Sequence, residues 1–206
     1  MPVKSRPKRR KKSGFFSGKV VAFIVVVLVV VVVVAAYQVV SRSGSGGNSS
    51  LTRVVLVTSM GNVTIELYGD MPVTSGNFEN LTENGVYDGT IFHRVVAGFV
   101  VQGGDVSGKG ISVPTIADEL PNKHSNVRGS VAMAKASDSS GAVVPNSATS
   151  QFYINLADNS YLDSSYSVFG RVVVGMNVAD AIGNVAVDSN NKPVQDVRLI
   201  KALIIG

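Results

Sequence analysis

The chain has 206 residues, 45% of them hydrophobic, with no cysteine and a formal charge of +5. Without thiols it can build no disulfide framework, thiolate zinc site or cysteine nucleophile. The positive charge belongs to residues 1–50, which hold nine bases and no acid; residues 51–206 hold ten bases against 14 acids, a charge of −4, so no nucleic-acid-binding face is expected there.

In chain order, residues 1–19 form a basic tail containing Lys8-Arg9-Arg10-Lys11-Lys12. Residues 20–40 are a run of 21 residues interrupted only by Tyr37 and Gln38, and as a helix about 30 Å long the run predicts a transmembrane segment. Valine, which dominates it, is a poor helix former in water, but in lipid the backbone can bond only to itself. Eight of the nine bases precede the run, so the N-terminus is expected in the cytoplasm and the remainder outside, as a single-pass protein of the cytoplasmic membrane. A signal peptide cut after Val34 and Ala36, releasing a secreted domain, is the open alternative. Residues 41–50 (SRSGSGGNSS) read as a flexible linker.

A β-hairpin over residues 53–59 and 62–68, turning at Met60-Gly61-Asn62, opens the larger part. Asp70-Met71-Pro72 starts a helix whose apolar stripe is Val73, Phe78 and Leu81 and which stops at Gly85. Further strands are expected over residues 90–96, 99–102, 130–134, 151–156, 168–174 and 197–205, with a second helix over 177–182. Eight short strands and two helices predict a mainly β domain: a closed antiparallel barrel capped by the helices, because closure removes exposed edges.

Gly103 to Lys109 (GGDVSGK) has the spacing of a phosphate-binding loop. Gly110, however, stands where a hydroxyl must hold magnesium, and Ile111-Ser112-Val113-Pro114 cannot begin the helix that such a loop requires. His93 and His124 have no acidic cluster at ligand spacing, so neither a metal nor another cofactor is expected. A Ser-His-Asp hydrolase lacks its G-x-S-x-G elbow.

The longest motif is Phe92-His93-Arg94-Val95-Val96-Ala97-Gly98-Phe99-Val100-Val101-Gln102-Gly103-Gly104-Asp105, and it resembles the cyclophilin signature. Arg128 to Ala134 (RGSVAMA), Ser150 to Asn155 (SQFYIN), and Tyr161-Leu162-Asp163 through Val168-Phe169-Gly170 follow in the family's order, so the resemblance covers all of residues 51–206. Ser147 to Phe152 and Ala157-Asp158-Asn159 are similar to the prokaryotic branch. The resemblance implies a cyclophilin-like eight-stranded barrel and peptidyl-prolyl cis-trans isomerase activity on proline-containing polypeptides, here in assisting protein folding outside the membrane.

The chemistry of that reaction suits a chain without thiols or metal. Rotating a prolyl bond breaks no covalent bond; amide resonance is lost against a barrier of about 18–20 kcal/mol. A catalyst needs an apolar socket for the pyrrolidine ring and a donor aimed at the prolyl nitrogen as it gains a lone pair. By the resemblance Arg94 is the donor, Gln102 orients it, and Phe99, Val100, Tyr153 and Leu162 line the socket. The backbone near Ala134 and Lys135, with Gln151, would hold the flanking peptide, and Tyr161 and Tyr166 belong to the far wall.

Several of these residues depart from the family's pattern. Val100 stands for the usual methionine, Tyr153 for phenylalanine, and Lys135 for the asparagine of many eukaryotic members. Tyr161 replaces the tryptophan that many eukaryotic members use to hold cyclosporin, and Tyr166 their histidine, which argues against binding of that drug. The Tyr153 hydroxyl needs a polar partner if buried. His93 is expected as a hydrogen-bonded core residue. A non-catalytic proline-peptide-binding or chaperone module on the same fold is the functional alternative, and a monomer the expected state.

Overall fold

A computed structural model describes residues 51–205; the basic tail, the apolar run of residues 20–40 and the linker lie outside the described residues. Among the described residues no helix is long and apolar enough to cross a membrane.

The hairpin forms as its β-branched residues and turn dictate, with β1 at Arg53–Thr58 and β2 at Gly61–Leu67. The Thr58 hydroxyl closes the turn, donating to the Gly61 carbonyl at 2.6 Å and accepting from the Met60 N–H at 3.1 Å. After helix α1 (Pro72–Glu83) come β3 (Thr90–Ile91), β4 (Arg94–Val96), β5 (Val100–Gly103), β6 (Ser130–Met133), β7 (Phe152–Asn155) and β8 (Val168–Val174). Helix α2 (Met176–Gly183) and β9 (Arg198–Ile205) complete the fold. One antiparallel sheet runs in the order β3-β9-β1-β2-β8-β6-β7-β5-β4.

The strand expected over residues 90–96 is two strands. Phe92 turns into the core, 1% exposed, and its N–H donates to the Val197 carbonyl at 2.9 Å. The break lets β3 pair with β9 while β4 pairs with β5. The two edges of the sheet are thus joined by Phe92 and His93, which curls the sheet into a half-barrel. Among the described residues no ladder joins β3 to β4, so the hydrogen-bonded order has nine strands and two edges rather than the eight of a closed barrel.

Helix α1 starts at Pro72 as expected, but its buried face differs from the expected stripe. Val73 is exposed, while Thr74, Ser75 and Thr82 are buried beside Phe78 and Leu81. Hydroxyls can line this face because each finds an acceptor: Ser75 donates to the Tyr68 and Phe169 carbonyls at 2.8 and 3.0 Å, and Thr82 to the Phe78 carbonyl at 2.8 Å. Met71 offers no side-chain cap, and the Glu119 carboxylate takes that role, accepting the Val73 and Thr74 N–H groups at 3.0 and 2.7 Å.

Alternation along the strands separates two apolar clusters. Val95, Val101, Ile154 and Val131 lie in register across β4, β5, β7 and β6 and join the main core with Phe78, Phe152 and Phe169. Phe78 of α1 holds that core, its ring centroid 5.2 Å from Phe152 and 4.9 Å from Phe169. The alternate positions, Arg94, Gln102, Tyr153, Ala132 and Val168, form a second row across β4, β5, β7, β6 and β8. Val100, Ala132, Tyr153 and Val168 make a separate small cluster there.

Candidate active site

Arg94, Gln102 and Tyr153 of that second row line a cavity of about 440 Å³. Its walls are Arg94, Phe99, Val100, Gln102, Ala134, Lys135, Ser137, Tyr153, Leu162 and Tyr166. Nine of these were expected from the sequence, and Ser137 was not. The apolar side is formed by Val100, 2% exposed, and by Phe99 and Leu162 packed on the small cluster. Tyr166 meets Tyr153 edge to face, ring centroids 5.8 Å apart.

Arg94 and Gln102 face each other because β4 and β5 place them in register. An Arg94 Nη donates to the Gln102 amide oxygen at 3.4 Å, and the Gln102 amide nitrogen donates to Gln151 Oε1 at 2.9 Å. The guanidinium carbon lies 5.9 Å from the centre of the Phe99 ring. Among the described residues no carboxylate pairs with Arg94. A charge beside an apolar wall, steadied only by neutral partners, retains its capacity to donate to an incoming group.

Lys135 is placed differently from Arg94. Its side chain is 4% exposed, and the ammonium is spent on Asp118 at 2.6 Å and the Ser165 carbonyl at 2.9 Å. It braces the cavity wall rather than presenting a free cation. The Ala134 N–H is taken by the Gln151 carbonyl at 2.9 Å. Gln151, which accepts from Gln102, is not among the residues that line the cavity. Nor is Tyr161, which is 69% exposed and stacked on Phe99 with ring planes 11° apart.

His93 is half-buried at the sheet break rather than a core residue; it hydrogen-bonds Gln151, while its Nδ1 is buried without a partner. Burial lowers its pKa, outweighing the opposite pull of Asp105 and Gln151.

Beneath the socket lies a polar network that sequence reasoning missed. The Tyr153 hydroxyl donates to Asn126 Oδ1 at 2.8 Å, so this buried tyrosine has the partner it needs. Burial, with smaller contributions from Tyr166, Asp163 and Tyr161, pushes the Tyr153 pKa well above its ordinary value. Asn126, fully buried, donates its backbone and side-chain N–H groups to Asp163 Oδ1 at 2.7 and 2.8 Å. Burial alone would raise the Asp163 pKa; the bonds from Ser125 and Asn126 hold it below the usual value. Asn155 donates to Asn126 at 3.2 Å and to Ser130 at 2.9 Å. Asn159 donates to Asn155 at 2.7 Å and to the Phe99 carbonyl at 3.2 Å. Asn155, Asn159 and Asp163 stand inside or beside recognised motifs, whereas Asn126 carries no local signal.

An apolar socket with a guanidinium in its wall thus sits on a curled antiparallel sheet, and known proteins are similar to this chain over the same residues. The profile of the family described as "Cyclophilin type peptidyl-prolyl cis-trans isomerase/CLD" matches residues 53–204. A peptidyl-prolyl cis-trans isomerase of Acinetobacter baylyi is 42% identical over 167 residues, 74% of this chain and 85% of that protein. Isomerase A of Dickeya dadantii is 43% identical over 155 residues, covering 71% and 78% of the two chains. The crystal structure of a Cryptosporidium parvum cyclophilin-type isomerase superposes with a TM-score of 0.68 at 28% identity, covering 76% of this chain and 98% of that one. The same enzyme in the presence of the dipeptide Ala-Pro gives 0.67 at 29% identity, covering 75% and 99%. The chain belongs to the cyclophilin-type peptidyl-prolyl cis-trans isomerase family, and peptidyl-prolyl isomerisation is its enzymatic activity.

Proposed function

We propose that the cavity bounded by Arg94, Phe99 and Tyr153 is where isomerisation takes place, on Xaa-Pro bonds of polypeptides folding outside the cytoplasmic membrane. The proline ring enters between Phe99, Val100, Tyr153 and Leu162. Arg94, held by Gln102, donates to the prolyl nitrogen as that atom loses resonance and gains a lone pair. The bond forms in the twisted state and not in either planar one, so it lowers the barrier instead of tightening ground-state binding. The observation that carries this reading is the Arg94 guanidinium at the rim of an apolar cavity with no carboxylate partner among the described residues.

A hydrogen bond from a charged donor contributes about 1.5–3 kcal/mol, so Arg94→Ala should lower kcat/KM on a proline peptide by roughly one to two decades. The measurement is a coupled isomerisation assay of the full chain and the variant, with circular dichroism confirming the fold. Full activity in Arg94→Ala would overturn the assignment.

The location rests on the 21-residue apolar run and the eight bases before it, which support a single-pass anchor with the enzyme outside. Ser147 to Phe152 and Ala157 to Asn159 support a place in the prokaryotic-like branch. We take the working unit to be a monomer. With Tyr161 in place of tryptophan, cyclosporin is expected to bind weakly.

A further inference from the structure

We infer that Asn126 is a positioning residue for isomerisation, acting through the hydroxyl of Tyr153 to fix the socket wall against Arg94. The inference rests on the socket reading above and adds a residue that lines no part of the cavity. Tyr153 lines the cavity from the middle of the cross-strand row, in register with Gln102 on one side and Ala132 on the other. A ring in that position can tilt without leaving the sheet, and its tilt sets how deeply a proline sits below the guanidinium. Tyr166 meets the ring edge to face, and the Tyr153 hydroxyl is its polar anchor.

Asn126 is built to hold that hydroxyl. Its side chain is fully buried and every polar group on it is engaged: Oδ1 accepts Tyr153 at 2.8 Å and Asn155 at 3.2 Å, while Nδ2 donates to Asp163 at 2.8 Å. The Asn126 carbonyl accepts the Asn159 N–H at 2.7 Å, and Asn159 also donates to the Phe99 carbonyl. Asp163 directly follows the wall residue Leu162. One asparagine thereby ties together the elements that supply Tyr153, Leu162 and Phe99, three of the four socket residues. Such fully satisfied buried networks hold a single geometry, because any displaced member leaves a buried polar atom unpaired. A socket tilted away from Arg94 would still bind the ring but would lose the bond formed only in the twisted state. The loss should therefore appear in kcat and not in KM.

The test is a double-mutant cycle on the full chain, using Asn126→Ala, Tyr153→Phe and the double variant, with Arg94→Ala run in parallel. Kcat, KM and thermal melting are measured for each. Tyr153→Phe keeps the ring and its packing, so it reports on the hydroxyl even if Asn126→Ala proves too unstable to assay. The expected result is a fall in kcat of about five- to tenfold for each single variant, the size of one lost hydrogen bond, with KM unchanged. The double variant should then be no slower than the slower single one. Kcat within about twofold of the unmutated chain for Tyr153→Phe, or two losses that multiply, would overturn the inference while leaving an inactive Arg94→Ala to uphold the socket reading. A fully active Arg94→Ala would remove that reading and this inference with it.

Discussion

Arg94 and the two arginines beside Glu66 show how one charged residue type can serve opposite ends in the same sheet. Arg94 is steadied by an amide and a ring, and its charge stays available. Glu66, buried on β2, takes both charges that flank it: Arg53 at 2.7 Å from β1 and Arg171 at 2.8 Å from β8, the three residues in register across adjacent strands. Burial alone would raise the Glu66 pKa, but the two guanidiniums outweigh it and hold the carboxyl below its ordinary 4.5. A folded-state pKa below the unfolded one means that the stabilisation is complete above about 4.5 and is lost as pH falls through the lower folded value. Melting temperature should therefore decline below that pH. Glu66→Gln should lower it at neutral pH and shrink the decline. A variant with an unchanged acid slope would show that Glu66 is not its source.

At the scale of elements, the helices and hairpins follow local chemistry at one end and remote chemistry at the other. Proline at the first turn of α1 sets its start, yet its free N–H groups are capped by Glu119, 46 positions from Val73. Removing that carboxylate by Glu119→Ala should cost about 1 kcal/mol, the usual worth of an N-cap, read as a lower urea midpoint with an unchanged slope. Helix α2 is preceded by Gly175, whose φ of 87° lies in the left-handed region and where any side chain would strike the Asn62 carbonyl. Strand placement was legible because short runs of β-branched and aromatic residues stand between turn residues. The break at Phe92-His93 was not, since residues 90–96 (TIFHRVV) contain no glycine, proline or other turn residue, and only the separate pairing with β9 and with β5 divides them.

For the whole molecule, the enzyme and its N-terminal segment pose separate questions. The proposed anchor predicts that the mature chain isolated from membranes keeps its full length of 206 residues, 21.5 kDa, and that added protease reaches the enzyme from outside intact cells. A mature mass matching a chain that begins near Tyr37 would establish cleavage instead.

Sequence by itself determined the family, the two helices, most strand positions and nine of the ten cavity residues. Those features are written in contiguous motifs and in the two-residue period of strands, both local properties of the chain. Only the tertiary structure decided what those residues bond to. The backbone at Lys135 was read as peptide-binding, and the fold locks its side chain to Asp118; Gln151 accepts from Gln102; Asn126 holds Tyr153 from 27 positions away. Partners of this kind have no period and no fixed spacing, because they are chosen by proximity in the folded sheet. Arg94 was visible in its motif, but its freedom to donate to a substrate depends on which groups the fold brings near it.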